Sequence, residues 1–331
     1  MNSATRQCTT TLTPRGIFAV LILCFVAQAA AQSYPAKPIR CVVPYPPGGP
    51  TDIIGRAIAQ KLAESLGQPV IIDNRGGAAG TIGSEQVARA PADGYTLLWG
   101  TPGTHGIAPS IYPRLGYDPL KDFAHITLIA LGTNLLVVHP SVPAHSVKEF
   151  VALAKSRPGK LNFGSAGSGA TSHMAGEMLK VMAGIDMLHV PFKGAAPAIV
   201  ALMGGEIDMA ILDTPPLLPQ IRAGKLRVLA VASERRSRVL PQVPTIAESG
   251  MPGYHASSWH GLFAPAGTPR EIVARLHTEV AQIVRLPDIT ERLFAQGVEP
   301  VANTPDQFTE FIKSEITRWA RVVKASRAKI D

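Results

Sequence analysis

Apolar residues follow two spacings in turn along the chain, and the two spacings predict strands and helices. Residues 39–43 form a short apolar run that is typical of a buried strand. Beyond Asp52, apolar side chains recur every four residues, which is the spacing of one helical face. These apolar positions are Ile54, Ile58, Leu62 and Leu66. This part of the chain is therefore predicted to be a strand, a turn and a helix.

The alternation of strand and helix continues towards the end of the chain. Further compact apolar runs predict strands at 70–72, 96–99, 126–130, 135–138, 209–212, 228–231 and 261–264. Capping boxes, in which Glu or Gln follows a Ser or Thr by three residues, predict helix starts. They begin at Ser146, Thr268 and Thr304. Such alternation indicates an α/β fold with mainly parallel sheets.

The turn between the first strand and the first helix, residues 44–52, has the composition of an anion site. It contains Gly48 and Gly49 among prolines that stiffen the chain, with Thr51 or Asp52 at the expected N-cap. Such a turn leaves backbone N–H groups without partners at the positive end of a helix. We therefore expect this turn to bind an anion.

Two later turns have a similar composition. Residues 164–171, Gly-Ser-Ala-Gly-Ser-Gly-Ala-Thr, follow an apolar run and precede a helical pattern. Residues 100–105 form another polar turn at the carboxyl end of a predicted strand, where open α/β sheets bind ligands. His105 in that turn either contacts the ligand or caps a helix. The wide separation of these turns along the chain predicts a site built from two lobes.

Residues 1–31 have the pattern of a secretory signal peptide, so we expect export to the periplasm. Arg6 and Arg15 form the positive region, residues 16–26 are apolar, and a small-residue cleavage pattern ends at Ala31. The formal charge of +8 becomes +6 once both arginines are removed. This charge is spread thinly, without the basic runs that favour nucleic acid as a partner.

Motifs for enzyme and metal chemistry are largely missing. Residues 164–171 have Walker A spacing, but Ala170 replaces the lysine that contacts phosphates. The sequence has no His-Glu-x-x-His, Cys-x-x-Cys or Gly-x-Ser-x-Gly. Cys41, the one cysteine outside the signal peptide, is expected to be a buried free thiol. We therefore expect no metal, no cofactor and no enzymatic activity.

Several short motifs occur along the chain in an order that is typical of one protein family. They include Pro-Tyr-Pro-Pro-Gly-Gly at 44–49, Asp-Asn-Arg at 73–75, Ala-Asp-Gly-Tyr-Thr-Leu at 92–97, the turn at 164–173, Phe-Lys-Gly at 192–194 and Ala-Pro-Ala-Gly-Thr-Pro at 264–269. The chain resembles the Bug receptors, extracytoplasmic solute-binding components of tripartite tricarboxylate transporters. The resemblance implies a two-lobed, Venus-flytrap fold of the type II periplasmic binding class. Lobe 1 would comprise residues 32–130 and 258–331, and lobe 2 residues 131–257.

The resemblance also implies which residues surround the ligand. On the lobe 1 side they are Tyr45, Pro46, Gly48, Gly49, Asp52, Thr101, Thr104 and His105, and on the lobe 2 side they are Ser165, Gly167, Thr171, His173 and Asp213. Two features depart from the relatives. Ala170 stands where many relatives have serine. Relatives often have phenylalanine at the position of Ile211, and the aspartate that they carry next to it is displaced in this chain, where Leu212 is followed by Asp213.

These features together predict a monomeric receptor that captures a small organic acid and hands it to membrane permease subunits. Neither central glycine-rich turn contains Lys or Arg, which fits a carboxylate held by backbone dipoles. A periplasmic sensor that signals to a membrane kinase would use the same cleft. A third alternative is an exported hydrolase or isomerase that uses His173 or His105 as a base.

Overall fold

The computed structural model describes residues 34–328 and residue 330. The expected signal peptide, 1–31, lies outside the described residues. Lys37–Asp331 forms one compact unit, which contains both of the β-sheets described below. Among the described residues, no helix is both long and apolar enough to cross a membrane.

The first sheet has six strands. They are β1 (Ile39–Val43), β2 (Val70–Asn74), β3 (Thr96–Gly100), β4 (Phe123–Gly132), β10 (Ser258–Pro265) and β11 (Val298–Pro300). Their order across the sheet is β11-β4-β10-β3-β1-β2. The apolar run at 39–43 is central because β1 pairs with β2 on one side and β3 on the other, parallel to both.

The second sheet has five strands. They are β5 (Asn134–Val138), β6 (Asn162–Ser165), β7 (Leu188–Pro191), β8 (Met209–Asp213) and β9 (Arg227–Val231). Their order is β7-β6-β8-β5-β9. Strand β6 leads directly into the glycine-rich turn at 166–170, as the sequence predicts.

Both sheets are mixed, which corrects the prediction of mainly parallel sheets. Within the described residues, four strand pairings are parallel and five are antiparallel. Strands β5 and β10 each follow a segment that belongs to the other sheet, and each runs against both of its neighbours. An apolar run carries no information on strand direction, so the pattern could not reveal this.

Ten α-helices connect the strands in the described part of the chain. They are α1 (Pro50–Leu66), α2 (Thr81–Ala88), α3 (Ala108–Ile111), α4 (Val147–Ser156), α5 (Thr171–Ala183), α6 (Ala195–Met203), α7 (Thr214–Arg222), α8 (Arg270–Ile283), α9 (Pro287–Ala295) and α10 (Pro305–Ser326). A 3-10 turn, Ala78–Gly80, precedes α2, and a π-helical turn, Gly103–Ile107, precedes α3.

The predicted helix starts are partly confirmed. Thr304 makes a complete capping box with Gln307, and the Ser146 hydroxyl accepts the Glu149 N–H. The other two expectations are wrong. Gly49, and not Thr51 or Asp52, is the N-cap of α1, because the helix already begins at the proline that follows it. Pro269 is the N-cap of α8, and the Thr268 hydroxyl donates to a carbonyl in the preceding turn.

Each sheet has its own buried apolar cluster. Val42, Phe263 and Phe308 belong to the cluster at the first sheet, and Leu135 and Leu212 belong to one at the second. A further cluster covers the other face of the second sheet and contains Trp319 of α10. Cys41 is buried and unpaired, as expected. These clusters support the two sheets, and strand ends from both sheets surround the site described next.

Candidate ligand-binding site

A cleft of about 680 Å³, measured with its open mouth, is lined by loops from both sheets. The first-sheet side includes the turn after β1, the turn after β3 and the start of β10. The second-sheet side includes the turns after β6 and β7 and the end of β8. Six of the thirteen residues expected around the ligand line this cleft, namely Tyr45, Pro46, Gly49, Thr101, Thr171 and Asp213.

Three helices have their N-termini at this cleft without a side-chain cap. The N-cap residues are Gly49 for α1, Ala170 for α5 and Gly194 for α6, and none has a side-chain hydrogen bond that caps its helix. All three residues line the cleft. The first-turn N–H groups of a helix have no partner within it, and they lie at its positive end. The cleft therefore has three sources of donors for one anion.

A fourth helix, α7, reaches the cleft with a different chemical character. Its N-cap is Asp213, a carboxylate, and its side chain does not cap the helix. The Thr214 N–H donates to the Thr133 carbonyl at 3.0 Å. Pro215 and Pro216 follow, and proline has no N–H group. This end of the cleft therefore offers an acceptor and no free first-turn donor.

The first glycine-rich turn is fixed by Asp52. The Gly48 N–H donates to Asp52 Oδ2 at 3.0 Å, and Arg56 Nε donates to the same oxygen at 3.0 Å. Burial raises the pKa of Asp52, but the bonds from Arg56 and Gly48 outweigh it, so this pKa lies below its ordinary value. Neither Gly48 nor Asp52 lines the cleft. Both residues shape the turn that presents Gly49.

The turn after β3 contributes one hydroxyl pair to the cleft. The Tyr45 and Thr101 hydroxyls lie 2.7 Å apart, and both residues line the cleft. Burial raises the pKa of Tyr45, so its hydroxyl keeps the proton at neutral pH. Thr104 and His105 lie behind this pair and do not line the cleft. The Thr104 hydroxyl accepts the Thr101 N–H at 3.0 Å.

His105 belongs to the core of the first sheet. It is fully buried, and its ring stacks on Phe263 at a centroid distance of 4.0 Å. Its Nδ1 lies 2.9 Å from the Thr104 hydroxyl. Burial and the nearby His125 hold the pKa of His105 well below its usual range. The ring is therefore neutral at physiological pH, and it supports the turn from behind.

The second glycine-rich turn is held by two stacked histidines. The rings of His173 and His189 stack at 4.0 Å, and His173 Nδ1 accepts the Gly169 N–H at 3.1 Å. Ser165 Oγ accepts the Gly167 N–H at 3.2 Å and lies 2.6 Å from His189 Nε2. Burial, with His189 and a nearby lysine, lowers the pKa of His173 to about 3. Ser165 and His173 do not line the cleft and instead position the turn.

Gly167 and Thr171, at the two ends of this turn, face different spaces. Thr171 is the first residue of α5 and lines the main cleft. Gly167, with a φ of +131°, borders a neighbouring cleft of about 1330 Å³. That second cleft is also lined by 76–80 and 191–194.

Asp213 lies at the junction between the two sheets. Its Oδ1 accepts a hydrogen bond from the Ser258 hydroxyl on β10. Burial raises the pKa of Asp213 to about 6, although the bond from Ser258 opposes this rise. Its negative charge also contributes to the raised pKa of Tyr45, which lies on the first-sheet side of the cleft. Asp213 is thus an ionisable group within reach of the first-sheet side of the cleft.

Sequence reasoning missed several residues of the cleft. Ser258 and His260 line it, but the apolar pattern placed the start of their strand at 261. The turn before α6, around Gly194, also lines the cleft, although the sequence marks it only as a family motif. Its signal is a glycine directly before an apolar helix, which is also the arrangement at Gly49 before α1.

The site shows no support for a metal centre. In the part of the chain that the structure describes, no group of three or more His, Cys, Asp and Glu residues could hold a metal ion. The side chains that line the cleft are mostly apolar or hydroxyl-bearing, with Asp213 and His260 as the ionisable exceptions besides Tyr45. The arrangement can bind an anion through backbone donors and can add a few side-chain contacts.

Comparisons with known proteins show which family the chain resembles in sequence and fold. A family model described as the tripartite tricarboxylate transporter family receptor matches residues 54–327. The solved periplasmic binding protein BugD is 36% identical, with a TM-score of 0.86 over 90% of this chain and 100% of BugD. R. palustris Rpa4515, solved with adipate, is 39% identical with a TM-score of 0.88, covering 90% of this chain and 100% of that chain.

MatC from Rhodopseudomonas palustris, solved with bound malate, is also similar to this chain. It is 37% identical with a TM-score of 0.84, over 88% of this chain and 100% of MatC. These proteins share the two-lobed α/β architecture, so the resemblance found in the sequence is confirmed. The chain belongs to the receptor family of the tripartite tricarboxylate transporters, of the Bug type.

Proposed function

We propose that this protein captures a small organic acid in the periplasm and delivers it to the permease subunits of a tripartite tricarboxylate transporter. The observation that carries this proposal is the convergence of three uncapped helix N-termini on one cleft. A carboxylate of the acid would accept hydrogen bonds from first-turn N–H groups, including those of Thr51, Thr171 and Ala195.

The related proteins support the choice of a carboxylate. Rpa4515 was solved with adipate and MatC with malate, and both ligands are small organic acids. The cleft here has mainly apolar and hydroxyl-bearing walls, which suit the short carbon chain of such an acid. Tyr45, Pro46, Gly49, Thr101, Thr171 and Asp213 are the residues that we propose contact it.

We propose that the two sheets mark two lobes and that the ligand draws them together. Lobe 1 would comprise 32–130 and 258–331, and lobe 2 the segment 131–257. Strand β10, which begins at Ser258, pairs with β3 and β4 in the first sheet, and this supports the return of the chain to lobe 1. We further propose that the protein acts as a monomer without a cofactor.

Catalysis is not part of the proposal. His173 and His105, the two bases considered for an exported hydrolase or isomerase, do not line the cleft. Each ring nitrogen Nδ1 is engaged within its own turn, and burial lowers both pKa values. A general base must reach the proton that it removes, and neither ring is placed to do so.

Native mass spectrometry of the freshly purified protein, followed by calorimetry with adipate and malate, tests the capture of an acid. We expect a bound acid or measurable affinity with a stoichiometry of one. Uptake of the labelled acid into vesicles that contain the permease subunits tests delivery. Binding without any stimulation of uptake would favour the sensor alternative, and turnover of the acid would favour an enzyme.

A further inference from the structure

One end of the cleft carries a cluster of three polar side chains, Asp213, Ser258 and His260, which we call the polar end. All three residues line the cleft. Ser258 and His260 are two residues apart on β10, so their side chains lie on the same face of the strand. The Ser258 hydroxyl donates to Asp213 Oδ1. The two sheets therefore contribute to one small constellation.

Asp213 has more acceptor capacity than its surroundings use. A carboxylate can accept about four hydrogen bonds. Ser258 supplies a donor to Oδ1, and the backbone N–H of Asp213 itself also donates to the carboxylate. The first turn of α7 supplies none, because Thr214 donates to Thr133 and two prolines follow. A ligand that reaches the polar end thus meets an acceptor.

His260 supplies a single donor on the same face of β10 as Ser258. Its Nδ1 accepts the Trp99 Nε1–H at 3.1 Å, so the ring proton is on Nε2. The residue is 2% exposed, and burial lowers its pKa to about 3, so the ring stays neutral. Nε2 has no hydrogen-bond partner among the residues that the structure describes. A buried donor of this kind is unfavourable unless a ligand or a water accepts from it.

We propose that the polar end recognises a hydrogen-bond donor at the far end of the acid, such as an amide or ammonium group, and disfavours a second carboxylate. This inference rests on the proposed function, because the first carboxylate must occupy the helix N-termini. A donor group on the ligand satisfies Asp213, and a carbonyl beside it accepts from His260. A second carboxylate would instead meet the like charge of Asp213, which is unfavourable in an enclosed site.

Three probes of equal chain length test this inference by calorimetry at pH 8, namely adipate, its monoamide and 6-aminohexanoate. A four-carbon set of succinate, its monoamide and 4-aminobutyrate repeats the test for a shorter ligand. We expect the monoamide or the amino acid to bind at least tenfold more tightly than the dicarboxylate. In Asp213→Asn, this preference should shrink to threefold or less, mainly because the dicarboxylate binds more tightly.

Asp186→Asn is the matched control, because it also removes one carboxylate but Asp186 does not line the cleft. It should keep the wild-type preference. His260→Leu should weaken binding of the monoamide more than binding of the amino acid. The amide carbonyl can accept the hydrogen bond that this variant removes, whereas an ammonium group has no acceptor. If the wild-type protein binds the dicarboxylate as tightly as its monoamide in both sets, the inference is wrong, whatever the variants do. If no probe of either set binds, the proposed function fails as well.

Discussion

At the scale of single residues, the side chains of the site divide into those that face the cleft and those that hold a turn in place. Thr171 lines the cleft, whereas His173, two residues later, accepts a backbone N–H from its own turn. Gly49 and Gly48 divide in the same way, because the Gly48 N–H donates to Asp52. A residue that is close in sequence to a cleft-lining residue therefore often holds the turn in place and does not itself line the cleft.

Thr171→Val tests the residues that face the cleft, because it removes the Thr171 hydroxyl with little change in side-chain volume. If the Thr171 hydroxyl holds the acid, its loss should weaken binding by about 0.5–1.5 kcal/mol, or by about 1.5–3 kcal/mol if the bond is charge-assisted. Calorimetry with the cognate acid measures the change. Ser165→Ala is a useful comparison, because its hydroxyl accepts the Gly167 N–H within the turn and Ser165 does not line the cleft. Wild-type affinity in Thr171→Val would mean that this hydroxyl does not contact the acid.

Asp213 makes the stability of the protein depend on pH. Its folded-state pKa is raised from 3.8 to about 6, so between these values the folded state binds more protons than the unfolded state. The contribution of Asp213 to the free energy of unfolding therefore falls as pH rises through this window. Tyr45 and His260, which line the cleft with Asp213, keep their folded-state protonation in this window, since burial raises the pKa of Tyr45 and lowers that of His260 to about 3. Histidines whose folded-state pKa is lowered change stability in the opposite direction, so a variant of Asp213 is needed to isolate its contribution.

Asp213→Asn should remove this contribution. Relative to the wild-type protein, the variant should gain stability between pH 3.5 and pH 8, by at most about 3 kcal/mol at roughly 1.4 kcal/mol per pKa unit. Urea unfolding of both proteins at several pH values measures the difference. Parallel curves over the whole range would show that Asp213 has an ordinary pKa in the folded state.

Residue types alone suggest where the glycine-rich turns lie. They do not show which residues of a turn line the cleft and which hold the turn in place. Glycine-rich strand-to-helix turns are visible in the sequence because their composition is local. The stacking of His173 on His189 and of His105 on Phe263 depends on packing between segments that are separated in the chain. Likewise, the ring of His260 is held by a hydrogen bond from Trp99, which lies 161 positions away in the chain. No local pattern carries that information.

At the scale of elements, the site consists of helix N-termini that lack side-chain caps. Gly49 has a φ of −79°, so its backbone does not require glycine, and an added Cβ would meet only the Pro46 carbonyl oxygen at 3.7 Å. A larger side chain at this position is thus compatible with the fold, but it would enter the cleft that Gly49 lines.

Gly49→Leu should therefore abolish binding and leave the fold intact. Gly204→Leu is the matched control, because this glycine also has a negative φ, of −81°, and lies outside the cleft at the end of α6. Circular dichroism checks the fold of both variants and calorimetry checks binding. A folded Gly49→Leu protein with unchanged affinity would remove the first turn from the site.

Helix α10 gives a prediction that separates stability from binding. Its capping box joins Thr304 and Gln307, and neither residue lines the cleft. Thr304→Ala should lower the free energy of unfolding by about 1 kcal/mol, since an N-cap of this type is typically worth that amount. Affinity for the acid should stay the same. A loss of affinity would show that the position of α10 is coupled to the cleft.

The apolar pattern predicted most elements correctly because burial is encoded in the spacing of apolar side chains. It could not give the direction of β5 and β10, which each enter a sheet from the other one. It also predicts the start of α1 too late, because the proline at its first position continues the Pro- and Gly-rich composition of the preceding turn. The start of β10 was missed for a related reason, since Ser258 and His260 are polar although they are buried.

At the scale of the whole molecule, the cleft joins two sheets that each have a buried apolar cluster of their own. The uncapped N-terminus of α1 lies on the first-sheet side, and those of α5 and α6 lie on the second-sheet side. Gly194 also approaches Pro46 of the opposite side, such that an added Cβ would lie 3.3 Å from Pro46 Cγ. An acid that binds both sides of the cleft therefore favours the arrangement in which the two sides are close together. The size of this shift equals the difference between the acid's binding free energies for the closed and open arrangements.

A crystal structure of the protein with its acid tests the central claim most directly. We predict that one carboxylate of the acid lies within about 2.7–3.2 Å of backbone N–H groups from both sides of the cleft, such as those of Thr51 and Thr171, directly or through one water. A carboxylate that is bound instead by Lys or Arg side chains, or an acid that contacts one side only, would contradict the account.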